Sequence, residues 1–289
     1  MKAGFWVAPE GADTPIAMVP IGGPDLSGRK ASVTGTGALS FLATSSAEAM
    51  IARCPAVAAL LPQIADALDR QTAEARGILF DLSGLGPEEI HLMGEMLGEG
   101  EVAATVALPD GVIAQVQESV FAGLWRVRFT DASGLLVADY VEVAAVPEAV
   151  RRAAAMMPAG FDIAAAPEGA MNVLPVLAEI RDRVATRAPN DPSHVISLSL
   201  LPMTPEDLGF LEVALGNGPV RIVSRGYGTC RIHATAVRDV WAVQFYNAMD
   251  TILLDTVEVG GVPVVACAAD EDFRDSAERL REIEDAYFK

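Results

Sequence analysis

Apolar and polar positions alternate along Gly123 to Pro147, and again along Asp239 to Pro263, in two runs separated by a short polar turn. That period of two is the signature of paired, half-buried β-strands. The two stretches are also alike residue by residue. Trp125, Val127, Phe129, Asp139, Val141-Glu142-Val143 and Val146-Pro147 recur as Trp241, Val243, Phe245, Asp255, Val257-Glu258-Val259 and Val262-Pro263, at a constant offset of 116 positions (241 − 125). Upstream the offset becomes 118 (200 − 82): Leu82 matches Leu200, Pro87-Glu88 match Pro205-Glu206, and Leu97-Gly98-x-Gly100-x-Val102 match Leu215-Gly216-x-Gly218-x-Val220. A two-residue difference in a hairpin accounts for the change. Repeats of this size are modules, since solenoid units are shorter.

Within each copy the periodicity predicts seven elements. Ala47 to Arg76 is helix-forming, with Leu60, Ile64 and Leu68 stacked on one face, and its counterpart is Asn172 to Thr186 with Val176, Ile180 and Val184. Strands follow at Gly77 to Leu82 and His194 to Leu200. Short helices come next at Pro87 to Leu97 and Pro205 to Leu215, each with Pro first, acids in the first turn and Gly just past the end. Four strands complete each copy, over 101–108, 112–119, 124–130 and 135–143, then over 220–224, 229–235, 240–246 and 252–259. The expected fold is α+β: two tandem α-β-α-β-β-β-β repeats in a pseudo-twofold, two-lobed arrangement, each a mainly antiparallel sheet with helices on one face. Pro147 to Met157 reads as a linking helix and Asp270 to Lys289 as a terminal one. Residues 1–46, rich in Pro and Gly, read as an arm, 47–158 as the first repeat with its linker, and 159–289 as the second.

The repeated hairpin has a predictable register. Asp131-Ala-Ser-Gly134 fits a type I turn closed by a glycine bulge, which pairs Trp125 with Val141, Val127 with Asp139 and Phe129 with Val137. The same register pairs Trp241 with Val257, Val243 with Asp255 and Phe245 with Leu253. Asp139 and Asp255 would then be structural buried acids on the tryptophan face, satisfied by an indole N–H or a loop backbone, because a bare buried carboxylate is costly. Arg126, Arg128, Gln244 and Tyr246 would face the other way, either as a solvated surface with Arg126 diagonal to Glu142 or as anchors for a docking protein.

Charge narrows the partners. Lys and Arg number 21 against 39 Asp and Glu, a formal net charge of −18. Such a chain repels phosphate backbones and anionic lipid surfaces, so nucleic acid and membrane are excluded as partners and basic proteins are favoured. No run is long and apolar enough for a spanning helix, and the first residues do not form a signal peptide, which places the protein in the cytoplasm. Cys54, Cys230 and Cys267 are too few and scattered for a disulfide framework.

Motifs for chemistry are sparse. Cys230-Arg-Ile-His233 has metal-like spacing, but residues three apart on a strand point to opposite faces. The only histidines are His91, His194 and His233. Val33-Thr-Gly-Thr-Gly-Ala-Leu-Ser40 carries two glycines of a dinucleotide fingerprint and lacks the third. There is no G-x-S-x-G, S-x-x-K or P-loop. No catalytic residue, cofactor or metal site follows from the sequence.

Gly98-Glu-Gly-Glu-Val102, Gln117-Glu-Ser-Val-Phe-Ala-Gly-Leu-Trp-Arg-Val127, the stretch Trp241 to Val259 with Val262-Pro263, and Ala269 to Ile283 resemble the HupH/HyaF family of hydrogenase expression and formation proteins. The resemblance covers roughly residues 60 to 289. It implies a cytoplasmic accessory protein in maturation of a nickel-iron uptake hydrogenase, acting on a subunit precursor or with another accessory protein. The family brings no catalytic residues to carry over. Two readings follow: a non-enzymatic assembly chaperone, or a nickel, iron or iron-sulfur cluster carrier using Cys54, Cys230, Cys267 and the histidines, across a homodimer if need be. An unpaired edge strand would serve strand addition by a partner or a second copy.

Overall fold

The structure is a computed structural model and describes residues 52–163, 167–188, 191–226 and 228–288. The arm, its glycine pattern and residues 47–51 of the expected first helix lie outside the described residues. The elements are helix α1 (Pro55–Arg70), strand β1 (Ile78–Asp81), α2 (Pro87–Leu97), β2 (Val102–Ala107), β3 (Ile113–Glu118), β4 (Leu124–Thr130), β5 (Leu136–Val143), α3 (Glu148–Ala155), α4 (Val173–Thr186), β6 (His194–Ser197), α5 (Pro205–Leu215), β7 (Asn217–Ser224), β8 (Thr229–Thr235), β9 (Val240–Tyr246), β10 (Ile252–Val259) and α6 (Asp270–Tyr287). The alternating runs became strands and the 3.6-period runs became helices, with the same order of elements on either side of α3.

All ten strands form one antiparallel sheet in the order β1-β5-β4-β3-β2-β7-β8-β9-β10-β6. The halves join edge to edge, where β2 pairs with β7 and Thr105 stands opposite Arg221. This pairing removes what would be an exposed edge on each half, so only the four-residue strands β1 and β6 end the sheet.

Among the described residues three apolar cores sit on the two faces. On the face carrying Trp125 and Trp241, α3 lies over the centre, and Val150, Ala153 and Ala154 pack against Val106, Val220 and Ile232. Helices were expected on one face alone; α3 corrects this, because the tryptophan face is apolar along its whole width and has to be covered. On the opposite face α1, α2 and α6 cover Leu124, Val141 and Val143 at one end. There α6 crosses back over the first half, burying Phe273, Ala277 and Leu280 against Leu61, Ile64 and Leu68. At the other end α4 and α5 cover Ala242, Val257 and Val259. Each fully buried Leu, Ile or Phe contributes about 1.5–3 kcal/mol, which fixes the helices at the two ends.

Matching carboxylates tie each helix pair together. Glu89, in the first turn of α2, accepts the backbone N–H of Gly86 (3.1 Å) and of Ala56 at the start of α1 (2.9 Å). Asp207, in the first turn of α5, accepts those of Asn172 (2.9 Å) and Val173 (3.0 Å) at the start of α4. Burial pushes the Asp207 carboxyl up, and the backbone N–H groups it accepts outweigh that and hold its pKa below the usual value. The acids read as dipole complements thus join two helix starts.

The hairpin register differs from the expected one by a single residue. The turn forms as anticipated: Gly134 is at φ 83°, its N–H bonds to Asp131 O, and the Asp131 N–H bonds to Leu135 O. Thr130 therefore pairs with Leu136. One step further Phe129 pairs with Ala138, because Val137 is an extra residue in a β-bulge. From there Trp125 faces Glu142, Val127 faces Tyr140 and Arg128 faces Asp139. The β9–β10 hairpin repeats this. Asp250 (φ 53°) takes the place of Gly134, Leu253 is the extra residue, and Trp241 faces Glu258 while Gln244 faces Asp255. A one-residue slip moves every later side chain to the other face. Val137 and Leu253 are 55% and 65% exposed, so the bulges cost no buried apolar area.

Candidate functional site

Among the described residues no helix covers the middle of the sheet face opposite the tryptophans, between the two helical end layers. No residue of β2, β3, β7 or β8 that points to this face belongs to an apolar core. The result is a trough whose floor centres on these four strands, with helices α1, α2 and α6 on one side and α4 and α5 on the other.

Two adjacent cross-strand rows make the floor. In the first, Asp139, Arg128, Gln115, Thr105, Arg221 and His233 stand opposite one another from β5 to β8. The second contains Arg126, Gln117 and Ala103, then Val223, Arg231 and Gln244, and ends at Asp255. The rows relate by the offset of 116: Asp139 to Asp255, Arg128 to Gln244, Gln115 to Arg231, Gln117 to His233.

The expected site residues all fall on this face, in roles that the bulge changes. Asp139 and Asp255 are buried at 7% and 6%, away from the tryptophans. Asp139 is held by Arg126, with Nε to Oδ1 at 3.0 Å and Nη2 to Oδ2 at 2.7 Å, a two-pronged, charge-assisted contact. Arg126 is 5% exposed, so it is neither a solvated side chain nor diagonal to Glu142, which lies across from Trp125 on the other face. The Trp125 indole donates to Ala144 O at 2.8 Å, and among the described residues neither it nor the Trp241 indole bonds an aspartate. In the second half Gln244 Nε2 donates to Asp255 Oδ2 (3.3 Å), while Gln244 Oε1 accepts from the Tyr246 hydroxyl (2.7 Å). Arg126, Gln244 and Tyr246 are buried and act within the fold, while Arg128 is half-buried and turns Nη2 to Gln115 Oε1 (3.2 Å).

Two further floor residues, Arg221 and Arg231, were passed over in reading the sequence, and His233, opposite Arg221, was weighed only as a metal ligand. Their signal was the alternation of Val220-Arg-Ile-Val-Ser224 and Thr229-Cys-Arg-Ile-His233, which places them on the polar side. Arg231 is exposed, lies over the Tyr246 ring (4.4 Å) and is 3.7 Å from Asp250. Arg221 is half-buried and has no ion pair or side-chain hydrogen bond to any described residue. The floor's field shows in two pKa values. Burial, then Arg221 and Arg231, push His233 down to about 4; burial, then Arg126, lower Arg128, with Asp139 opposing.

The thiols lie apart from one another. Cys230 points into the tryptophan-face core, with burial raising its pKa to about 12, and His233 points to the trough as the strand geometry requires. Cys54 belongs to the first end core, and burial raises Cys267 to about 11. Among the described residues no three His, Cys, Asp or Glu side chains group as metal ligands, and no helix is long and apolar enough to cross a membrane.

The family model for the HupH hydrogenase expression protein, C-terminal conserved region, matches residues 54–162 and 170–287. Three relatives are similar over most of their lengths. The hydrogenase expression/formation protein HupH of Rhizobium leguminosarum is 58% identical over 290 residues, covering 100% of both chains. The hydrogenase expression/formation protein HoxQ of Cupriavidus necator is 45% identical over 228 residues, 78% of this chain and 79% of the relative. The hydrogenase-1 operon protein HyaF of Escherichia coli is 35% identical over 235 residues, 80% of this chain and 81% of the relative. Both matched segments run across the whole floor and its walls, and the chain belongs to the HupH/HyaF family of hydrogenase expression/formation proteins.

Proposed function

We propose that this protein is a non-enzymatic accessory factor in maturation of a nickel-iron uptake hydrogenase, acting in the cytoplasm as a chaperone that holds a subunit precursor or another maturation factor. The observation that carries this reading is the full-length similarity to a relative named for hydrogenase expression and formation. The fold adds a broad sheet face that no described helix covers, between two helical walls, a shape suited to holding a polypeptide. We read the two halves as copies of one module, supported by the shared bulges and the paired floor rows, and the outward edges of β1 and β6 as places where a second copy would add.

The test is capture of purified hydrogenase subunit precursors and maturation proteins by the purified full chain, with size-exclusion light scattering to give the stoichiometry. A defined complex with one of them is expected. Absence of any complex, with and without cross-linking, would refute the proposal.

A further inference from the structure

The trough floor carries the wrong sign for the molecule that contains it. The chain has a net charge of −18, yet the floor collects Arg126, Arg128, Arg221 and Arg231 against Asp139 and Asp255. Asp139 spends both oxygens on Arg126, leaving Arg128 opposite it with a neutral partner, Gln115. The Nε of Arg128 is buried without a hydrogen bond. Arg221, in the same row, has no carboxylate among the described residues. Like charges set this close on one sheet repel, and the arrangement is relieved when an anion lies across them.

We infer that the strip from Arg128 to Arg221 docks an acidic, extended segment of a partner protein; this deepens the proposed function by assigning it a surface and a partner chemistry. Arg128 on β4 and Arg221 on β7 are three strand spacings apart, about 14 Å at roughly 4.8 Å per spacing. An extended chain crosses that distance in about four residues at roughly 3.4 Å each, so carboxylates at alternate positions on one side of it meet both guanidinium groups. Thr105, between them on β2, and Ala103 beside it are short enough to let a backbone approach the floor. Arg231, exposed beside the strip, adds a third contact, and planar guanidinium groups suit paired carboxylate oxygens. Steering runs the same way: an acidic segment is repelled by the molecule's net negative charge and attracted by this cationic strip, which gives register as well as affinity.

The probe is a short fluorescent peptide of alternating Glu and Ala, compared by anisotropy with its Gln-for-Glu version and with a single-stranded oligonucleotide of similar length. The Glu peptide should bind best. Arg221→Gln and Arg128→Gln should each weaken it about tenfold, while Arg221→Lys should retain most of the affinity and Arg274→Gln, on exposed α6, should leave it unchanged. Affinity should fall as salt rises. Equal binding of the Glu and Gln peptides, equal loss in Arg274→Gln, or tighter binding of the oligonucleotide would overturn the inference. So would equal capture of a hydrogenase subunit precursor by the wild type and by the Arg128→Gln/Arg221→Gln variant, a result that leaves the proposed function standing.

Discussion

Replacing Asp139 by Ala removes the one carboxylate bonded to Arg126 among the described residues and leaves that guanidinium, 5% exposed, without a charged partner. Two charge-assisted bonds disappear at once from a site almost closed to solvent, and Arg128 loses the anion it shares with Arg126. An exposed pair would cost under about 1 kcal/mol. Stranding one charge of a buried pair costs about 3–5 kcal/mol. The double variant Arg126→Met/Asp139→Leu removes both charges and fills the space, so it should fall within about 1 kcal/mol of wild type. The second half already tolerates half of this change, with Ala242 in the place of Arg126. Guanidinium denaturation followed by fluorescence of the buried Trp125 and Trp241 gives both values from midpoint and slope. A loss below about 1 kcal/mol for Asp139→Ala, or a double variant as unstable as the summed singles, would show that the pair is hydrated and the reasoning wrong.

Three further outcomes are expected. Burial raises Glu142 and Glu118, on either side of Trp125, to about 7, against an ordinary 4.5; for Glu118 the N–H groups of Gly123 and Val102 only partly offset it. The unfolded chain ionises first, so stability should be full below about pH 4.5, fall as pH rises to about 7 and then level off. Denaturation midpoints across that range should show this fall, and Glu142→Gln should remove part of it, on the order of 1–3 kcal/mol. Trp125→Phe should cost about 1–2 kcal/mol more than Trp241→Phe, because it leaves Ala144 O without its indole donor, whereas Trp241 Nε1 has no hydrogen-bond partner among the described residues; equal costs by thermal melting would contradict this. Gly123→Ala combines φ 81° with a Cβ placed 2.3 Å from the Phe273 ring, so it should lower stability by about 2–4 kcal/mol and raise protease susceptibility at α6 before the rest of the chain.

Much of this was legible because local chemistry decided it. The helix starts at Pro87 and Pro205 and the bounds of β4, β8, β9 and β10 coincide with the alternation, since proline, turn glycines and the switch of period mark them. The edge-to-edge joining was not legible. Val102, Ala104 and Val106 pair with Ser224, Ile222 and Val220 through backbone atoms, and any two apolar edge strands could do so. The faces of Asp139 and Asp255 were missed for a smaller reason. The turn residues predict the pairing at Thr130–Leu136 correctly, but a bulge at Val137 is set by how the strands twist against the helices, and the apolar run Leu135-Leu136-Val137 looks the same with or without it. One unseen residue reversed the site reading, turning the acids from neighbours of tryptophan into partners of arginine and glutamine.

That reversal also bears on how many partners the trough can hold. If the halves offered equivalent floors, the offset of 116 would carry each cation onto another cation and two identical sites would result. Instead Arg126 and Arg128 correspond to Ala242 and Gln244, and Arg231 corresponds to Gln115. Each cation stands where the other half is neutral, while the acids Asp139 and Asp255 are retained in both. The positive charge therefore forms one lopsided strip that crosses the β2–β7 seam, with Arg128 contributed by the first half and Arg221 and Arg231 by the second. A symmetric backbone holding an asymmetric floor favours a single directional chain, one acidic segment per molecule, over a pair of equal ligands.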